Sequence, residues 1–215
     1  MTGLLQQWAD FLPQYWPGLL VTIELTIIAL AVGLPAGAFL AILSSSPSRL
    51  VRWPVIALVE IGRGIPALVV LYLVYRGLPQ FGLTLSSFIS ASAGLAFSTA
   101  AYSAEIIRSG INSIPEGQRE AARALALSNA NEFRLVVLPQ ALRKVIPPLI
   151  GQSVLLFQGT SLAYAISTPE LLSKAYNIAS ISYQFTAALT LAGVIYAVIS
   201  LAATALAGSR ARRPL

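Results

Sequence analysis

Neither cysteine nor histidine occurs in the 215 residues. Their absence excludes disulfides, thiolate and histidine-based zinc sites, and Ser-His-Asp or Cys-His catalysis. Charge is also scarce, at 10% of residues. No G-x-x-x-x-G-K-[ST] phosphate loop is present, so any chemistry that needs a nucleotide-binding domain must come from another chain. A chain stripped of these groups is suited to moving or sensing a solute rather than to covalent catalysis. What it has instead is apolar surface: 56% hydrophobic residues and a mean hydropathy of +0.75. That balance belongs in a bilayer, where a crossing takes roughly 20 apolar residues and this length allows about five helices and no separate soluble domain. The net charge of +6 would suggest nucleic acid in a soluble protein. In a membrane protein the first explanation is cytoplasmic loop charge. The opening "MTGLLQQWADFLPQYWPG" lacks a basic n-region, so no cleavable signal peptide is expected.

Hydropathy predicts an all-α chain with spans at about 19–43, 54–75, 83–107, 145–165 and 185–207, forming one transmembrane domain over 1–215. Kinks are expected at Gly33, Pro35 and Gly37 in the first span and at Pro66 in the second. Five crossings put the termini on opposite sides. Arg49 and Arg52, then Arg108, Arg119, Arg123, Arg134, Arg143 and Lys144, then Arg210, Arg212 and Arg213 fall on one side; Arg76 and Lys174 fall on the other. The basic side is cytoplasmic, which puts the N-terminus outside and the C-terminus inside. Trp8, Tyr15 and Trp16 fit an interfacial belt, on a short helix along the outer surface.

The longest polar stretch, "PEGQREAARALALSNANEFRLVVLPQALRK" (115–144), lies in the cytoplasmic connection 108–144. Ser113 and Glu116 have capping-box spacing, with Pro115 in the first turn, so a helix starts there. Glu116 with Arg119, and Glu120 with Arg123, stand three apart as ion pairs. Ser128, followed by Asn131 and Glu132, signals a second short helix ending before Pro139. The bland reading is a self-paired, solvated loop. The sharper one is a docking element, in which small alanines let a partner surface approach and charges fix its register.

"EAARALALSNANEFRLVVLP" (120–139) resembles the EAA loop of bacterial ABC-importer permeases, E-A-A-x3-G-x9-I-x-L-P. Glu120, Ala121, Ala122, Leu138 and Pro139 match; Ala126 replaces the glycine and Val136 the isoleucine. "GRGIPALVVLYLVYRGLPQFG", "AYSAEIIRSGINSIPEGQREAA" and "GTSLAYAISTPELL" extend the likeness to the polar amino acid uptake branch, of histidine, arginine and glutamine permease type. The resemblance implies a type I ABC importer (MetI-like) permease fold in the bacterial inner membrane. It also implies a second permease copy or homologue, an extracytoplasmic substrate-binding protein, and an ATPase subunit that binds ATP and Mg. Coupling to that ATPase would run through Glu116, Gly117, Glu120, Ala121, Ala122, Ala126 and Leu127. If the turn there needs a left-handed residue, alanine at 126 costs on the order of 1 kcal/mol relative to glycine.

Ionisable groups inside a membrane suggest function by default. Glu24 lies in the first span, Glu60 and Arg63 in the second, and Glu105, three before Arg108, in the third. Two readings stand side by side for Glu60, Arg63 and Glu105: structural ion pairs, or ligands for a zwitterionic substrate. As a substrate pocket, Tyr102 and Glu105 would meet an ammonium group, with Gln158, Thr160 and Ser161 beside a helix break at Gly159. Relatives often carry lysine and aspartate where this chain has Gln158 and Gly159, a departure that counts against an ionic site at these positions and leaves the partner subunit as its alternative supplier. Ser90, Ser92, Ser98, Thr99 and Ser103 read as helix-packing contacts. No catalytic or metal-binding residue is expected. The rival to an ATP-driven importer subunit is an ATP-independent channel or secondary transporter, against which stand the odd span count and the lack of an inverted repeat.

Overall fold

The computed structural model describes the backbone of residues 2–211 and the side chains of residues 3–206. Among these, every regular element is helical. The tail residues Arg212 and Arg213, and the side chain of Arg210, lie outside the described residues.

Helix α1 (Thr2–Ser44) is uninterrupted over 43 residues, about 64 Å at 1.5 Å per residue. No separate surface helix precedes the first apolar run, because residues 2–18 continue the same helix through Pro13 and Pro17. The reason lies on one face: Trp8 and Tyr15, seven apart, donate to the carbonyls of Ala187 (3.0 Å) and Ala188 (2.9 Å) and pull this segment onto α9. Nor do Gly33, Pro35 and Gly37 interrupt the helix. The glycines serve close packing instead. A Cβ at Gly33 would stand 2.7 Å from Thr99 Cβ, and one at Gly37 would collide with the Ser103 hydroxyl.

The second apolar run does break. α2 (Arg49–Gly64) and α3 (Ala67–Tyr72, running on through wide and tight turns to Phe81) meet at 102°. Ile65, which precedes Pro66, is extended (φ −85°, ψ 128°) because the proline ring disfavours helical geometry in the residue before it.

α4 (Ser87–Asn112) is the centre of the bundle, packed by α1, α2, α3 and α7. Ser86 caps it, accepting from Ile89 N. Its 26 residues rise about 39 Å, enough to cross a hydrocarbon core of about 30 Å. By length and composition three helices qualify as spans, Gly3–Ser44, Asn129–Ile166 and Phe185–Leu206, and up to four if the bent α2–α3 pair is one span. α4 falls outside that group because its surface is serine, alanine and threonine. Those small residues are what neighbouring backbones need in order to approach closely. Ser90, Ser92, Ser98, Thr99 and Ser103 are all buried along it, and Ser92, Thr99 and Ser103 donate back to carbonyls of their own helix.

α5 (Glu116–Ala124) follows a tight turn, and Ser128 then caps a short α6 (Asn129–Asn131) by accepting from Asn131 N. The expected stop before Pro139 does not occur. A widened turn at Glu132–Val137 leads directly into α7 (Leu138–Gly159), with Pro139 in its first turn. An i to i+5 turn relieves the clash between a proline ring and the preceding carbonyl, so helix continues where sequence punctuation predicted an end. α7 gives way at Gly159 to a tight 3-10 turn (Thr160–Ile166) that closes on left-handed Ser167 (φ 61°). α8 (Leu171–Ser182) and α9 (Phe185–Ala211) complete the chain, packing on α1 around Tyr15, Leu171, Ala175 and Ala188.

Candidate functional site

Two polar regions stand out from the apolar bundle. In the first, α4 meets the end of α2. Arg108 grips Glu105 with two bonds, Nη2 to Oε1 at 2.7 Å and Nε to Oε2 at 2.9 Å. The other face of Glu105 looks toward Arg63 Nη1 (3.8 Å), which in turn pairs with Glu60 (3.2 Å). Tyr102 donates to the Arg63 carbonyl at 3.1 Å, tying α4 to the last turn of α2 just before the Pro66 break. The result is a charge-neutral chain of two carboxylates and two guanidiniums. Glu60, Glu105 and Arg108 line a hollow with Ser44, Ile56 and Val59. Glu24 sits apart, exposed on α1 with no ion pair among the described residues.

Gln158, Thr160 and Ser161 gather at the α7 break, yet each is occupied locally. Gln158 Nε2 donates to Ser200 Oγ on α9 (3.1 Å), Thr160 is fully buried and donates to the Phe157 carbonyl, and Ser161 donates to the Gln158 carbonyl. They share no hydrogen bond with Tyr102 or Glu105.

The second region is the connection between α4 and α7. The capping box does not form: Ser113 Oγ donates to Gly110 O (2.7 Å) to close α4, and Pro115 occupies the N-cap of α5. Glu116, at the first helical position, still places negative charge at the N-terminal end of the helix dipole. The C-terminal end of α5 is a complete Schellman motif. Leu127 N bonds Ala122 O (3.2 Å) and Ala126 N bonds Arg123 O (2.9 Å), which forces Ala126 to φ 57°. The turn does require a left-handed residue, and alanine occupies it under strain. Of the sequence candidates, Glu116, Gly117, Glu120, Ala121 and Ala126 are exposed and Leu127 is half-buried, while Ala122 is turned inward. Leu125, one of the apolar residues expected to offer contact surface here, is 77% exposed at the tip.

Ion pairing in this region departs from the local pattern. Arg123 bonds Glu132 (3.0 Å) and Glu116 (3.3 Å), not Glu120. Arg119 reaches Glu116 (4.0 Å) and Glu132 (3.6 Å). Glu132 is only 5% exposed, and its hydrogen bond raises the Arg123 pKa above its ordinary value. It lies nine residues beyond Arg123, a spacing no helical periodicity would pair. Glu120 has no ion pair among the described residues and points outward.

A second buried acid, Glu170, escaped the sequence reading. Glu170 caps α8, accepting from Leu172 N (2.8 Å) and Ser173 N (2.7 Å), and takes a third bond from Tyr196 Oη (2.9 Å). Burial pushes its carboxyl up to about 7 against the pull of those donors. The S/T/D/E-x-x pattern before an apolar run was its one available signal.

An apolar helical bundle with a neutral chain of paired charges between two helices, joined on one side to a clamped polar elbow, defines a polytopic component of a membrane transport system. The chain belongs to the family described as binding-protein-dependent transport system inner membrane component, whose model matches residues 33–213. It is 37% identical over 210 residues to the glutamate/aspartate import permease protein GltK of Escherichia coli, covering 94% of each chain. It is 31% identical over 194 residues to the arginine transport system permease protein ArtQ of Bacillus subtilis, covering 90% of this chain and 89% of that one. A crystal structure of an amino acid ABC transporter with histidines superposes with a TM-score of 0.92 at 32% identity, covering 96% of both chains.

Proposed function

We propose that this chain is the membrane-spanning subunit of an ATP-driven importer for polar amino acids, with five crossings, the N-terminus outside and the α5 elbow in the cytoplasm. The single observation that carries this reading is the elbow. Its outer surface offers an outward-facing Glu120, the small residues Gly117 and Ala121, and the apolar tip Leu125, while its inner side is clamped to α4 and α7. A separate ATPase, holding ATP and Mg, docks on that outer surface; Glu116, Ala126 and Leu127 border the contact and Ala122 supports it from within. The relatives' substrates, glutamate or aspartate in one case and arginine in another, support a polar amino acid as cargo. Tyr102 and Glu105 supply the ammonium end of its path, with Gln158 and Ser161 further along and Thr160 behind them. A binding protein delivers the cargo, and a second copy or homologue closes the pathway. The chain itself does no covalent chemistry.

The test is purification in detergent followed by intact-mass analysis, then uptake of a panel of polar amino acids into proteoliposomes with and without internal ATP. Co-purifying ATPase and uptake that needs ATP are expected. Uptake driven by an ion gradient without ATP would overturn the reading.

A further inference from the structure

We propose that Glu132 is a positioning residue that turns the elbow into a rigid lever by holding Arg119 and Arg123 of α5 against the base of the α7 helix. The inference rests on the reading of α5 as the ATPase-docking helix. Polar ties fasten α5 to its neighbours. Gln140 Nε2 donates to Gln118 Oε1 (3.2 Å), and Lys144 Nζ donates to the Ser113 carbonyl just ahead of α5 (2.8 Å); both are exposed. Glu116 pairs with both arginines, but it belongs to α5 itself, so those pairs fasten the helix to nothing else, and its side chain is 61% exposed. Water and salt weaken ties of these kinds. Glu132, with its side chain 6% exposed, receives both guanidiniums where screening is least.

Its place in the chain matters as much as its burial. Arg119 also donates to the Ile111 carbonyl (3.4 Å), so the same guanidinium that meets Glu132 touches the end of α4. Glu132 therefore joins three elements at one point: α4, α5 and the helix that continues through α7 to Gln158. Force applied to the tip at Leu125 passes through this carboxylate before it reaches the membrane. Without it, the two arginines keep only Glu116, on their own helix, and the Ile111 carbonyl, and α5 loses its buried charge link to the base of α7.

This chain has no cysteine of its own to compete for the labels. In the complete complex with ATPase and binding protein, spin labels at Ala124→Cys and Arg143→Cys, both exposed, report the α5–α7 distance. The expected wild-type result is one narrow distribution, unchanged between the nucleotide-free and the MgATP–vanadate-trapped complex. Glu132→Gln should broaden it and make it nucleotide-dependent while the ATPase stays bound. Basal hydrolysis should also lose most of its stimulation by the binding protein. Glu132→Asp, which keeps the charge, should restore much of both. If Glu132→Gln does not reach the membrane, Glu132→Asp alone carries the test, and its distribution should be broader than wild type. Unchanged distances and unchanged stimulation in these variants would overturn the proposal. Glu120→Ala and Leu125→Asp serve as controls for the docking reading. If they uncouple and the Glu132 variants do not, only the lever fails; if they too leave coupling intact, the docking reading fails with it.

Discussion

Replacing Ala126 by glycine should strengthen the turn at the end of α5. Ala126 is held at φ 57° by two bonds, Leu127 N to Ala122 O and Ala126 N to Arg123 O, so it cannot relax without breaking the motif. A left-handed conformation costs a residue with a Cβ about 1–2 kcal/mol. Glycine removes that cost but loses more backbone entropy on ordering, about 0.5–1 kcal/mol, which leaves a net gain of about 1 kcal/mol. Local opening of the elbow should then become about fivefold rarer. Hydrogen exchange of the Ala126 and Leu127 amides in the purified complex reads this directly, as a rise in protection of that size confined to residues around 122–128. Equal or lower protection in Ala126→Gly would show that the strain inferred from the backbone is not there. Ala126→Val, with a branched Cβ in the same conformation, should move protection the other way.

Other outcomes follow from the same geometry. Glu120→Ala, or a bulky Ala121→Trp, should lower ATPase association or transport-coupled hydrolysis without affecting membrane insertion, as measured by pull-down and by ATP turnover in the complex. Gly37→Leu should destabilise the α1–α4 contact by about 1–3 kcal/mol or more, because a Cβ there already collides with Ser103 and stands 2.8 Å from the Ala100 carbonyl. Gly193→Ala, mid-way along α9 with open space around it, should raise the thermal midpoint in detergent slightly, since alanine gains about 0.5–1 kcal/mol over glycine inside a helix. Glu170 gives a pH signature. Its folded carboxyl, at about 7, binds the proton more tightly than the unfolded one near 4.5, so its stabilisation is complete below the lower value and lost as pH rises through the upper. The thermal midpoint should fall between about pH 5 and about pH 8, by an amount equivalent to at most about 3 kcal/mol, and Glu170→Gln should flatten that slope.

The membrane-embedded helical class was legible because apolar run length is a direct physical requirement of the bilayer. Family membership was legible in "EAARALALSNANEFRLVVLP" and its flanks. The Pro66 break and the left-handed demand at 126 could also be read, since both arise from steric rules acting within a few residues. What stayed hidden depends on contacts distant in sequence. Gly33 and Gly37 look like hinge glycines until Thr99 and Ser103 are seen to lie against them. Pro139 looks like a stop until the widened turn at Glu132–Val137 makes room for it. Arg123 has a partner at helical spacing in Glu120 but takes Glu132 and Glu116 instead, because the fold brings in a buried carboxylate that local periodicity cannot count. Glu170, too, looks unremarkable until α1 and α9 close over it.

The balanced sequence of charges running Glu60, Arg63, Glu105, Arg108 has a consequence for how this protein can change. Each inner member answers to two neighbours, so replacing one by a neutral residue leaves an odd charge in the row, whereas replacing an acid and a base together leaves the electrical sum untouched. The two inner groups are therefore coupled electrically, and changes at Arg63 and Glu105 act on one another rather than independently.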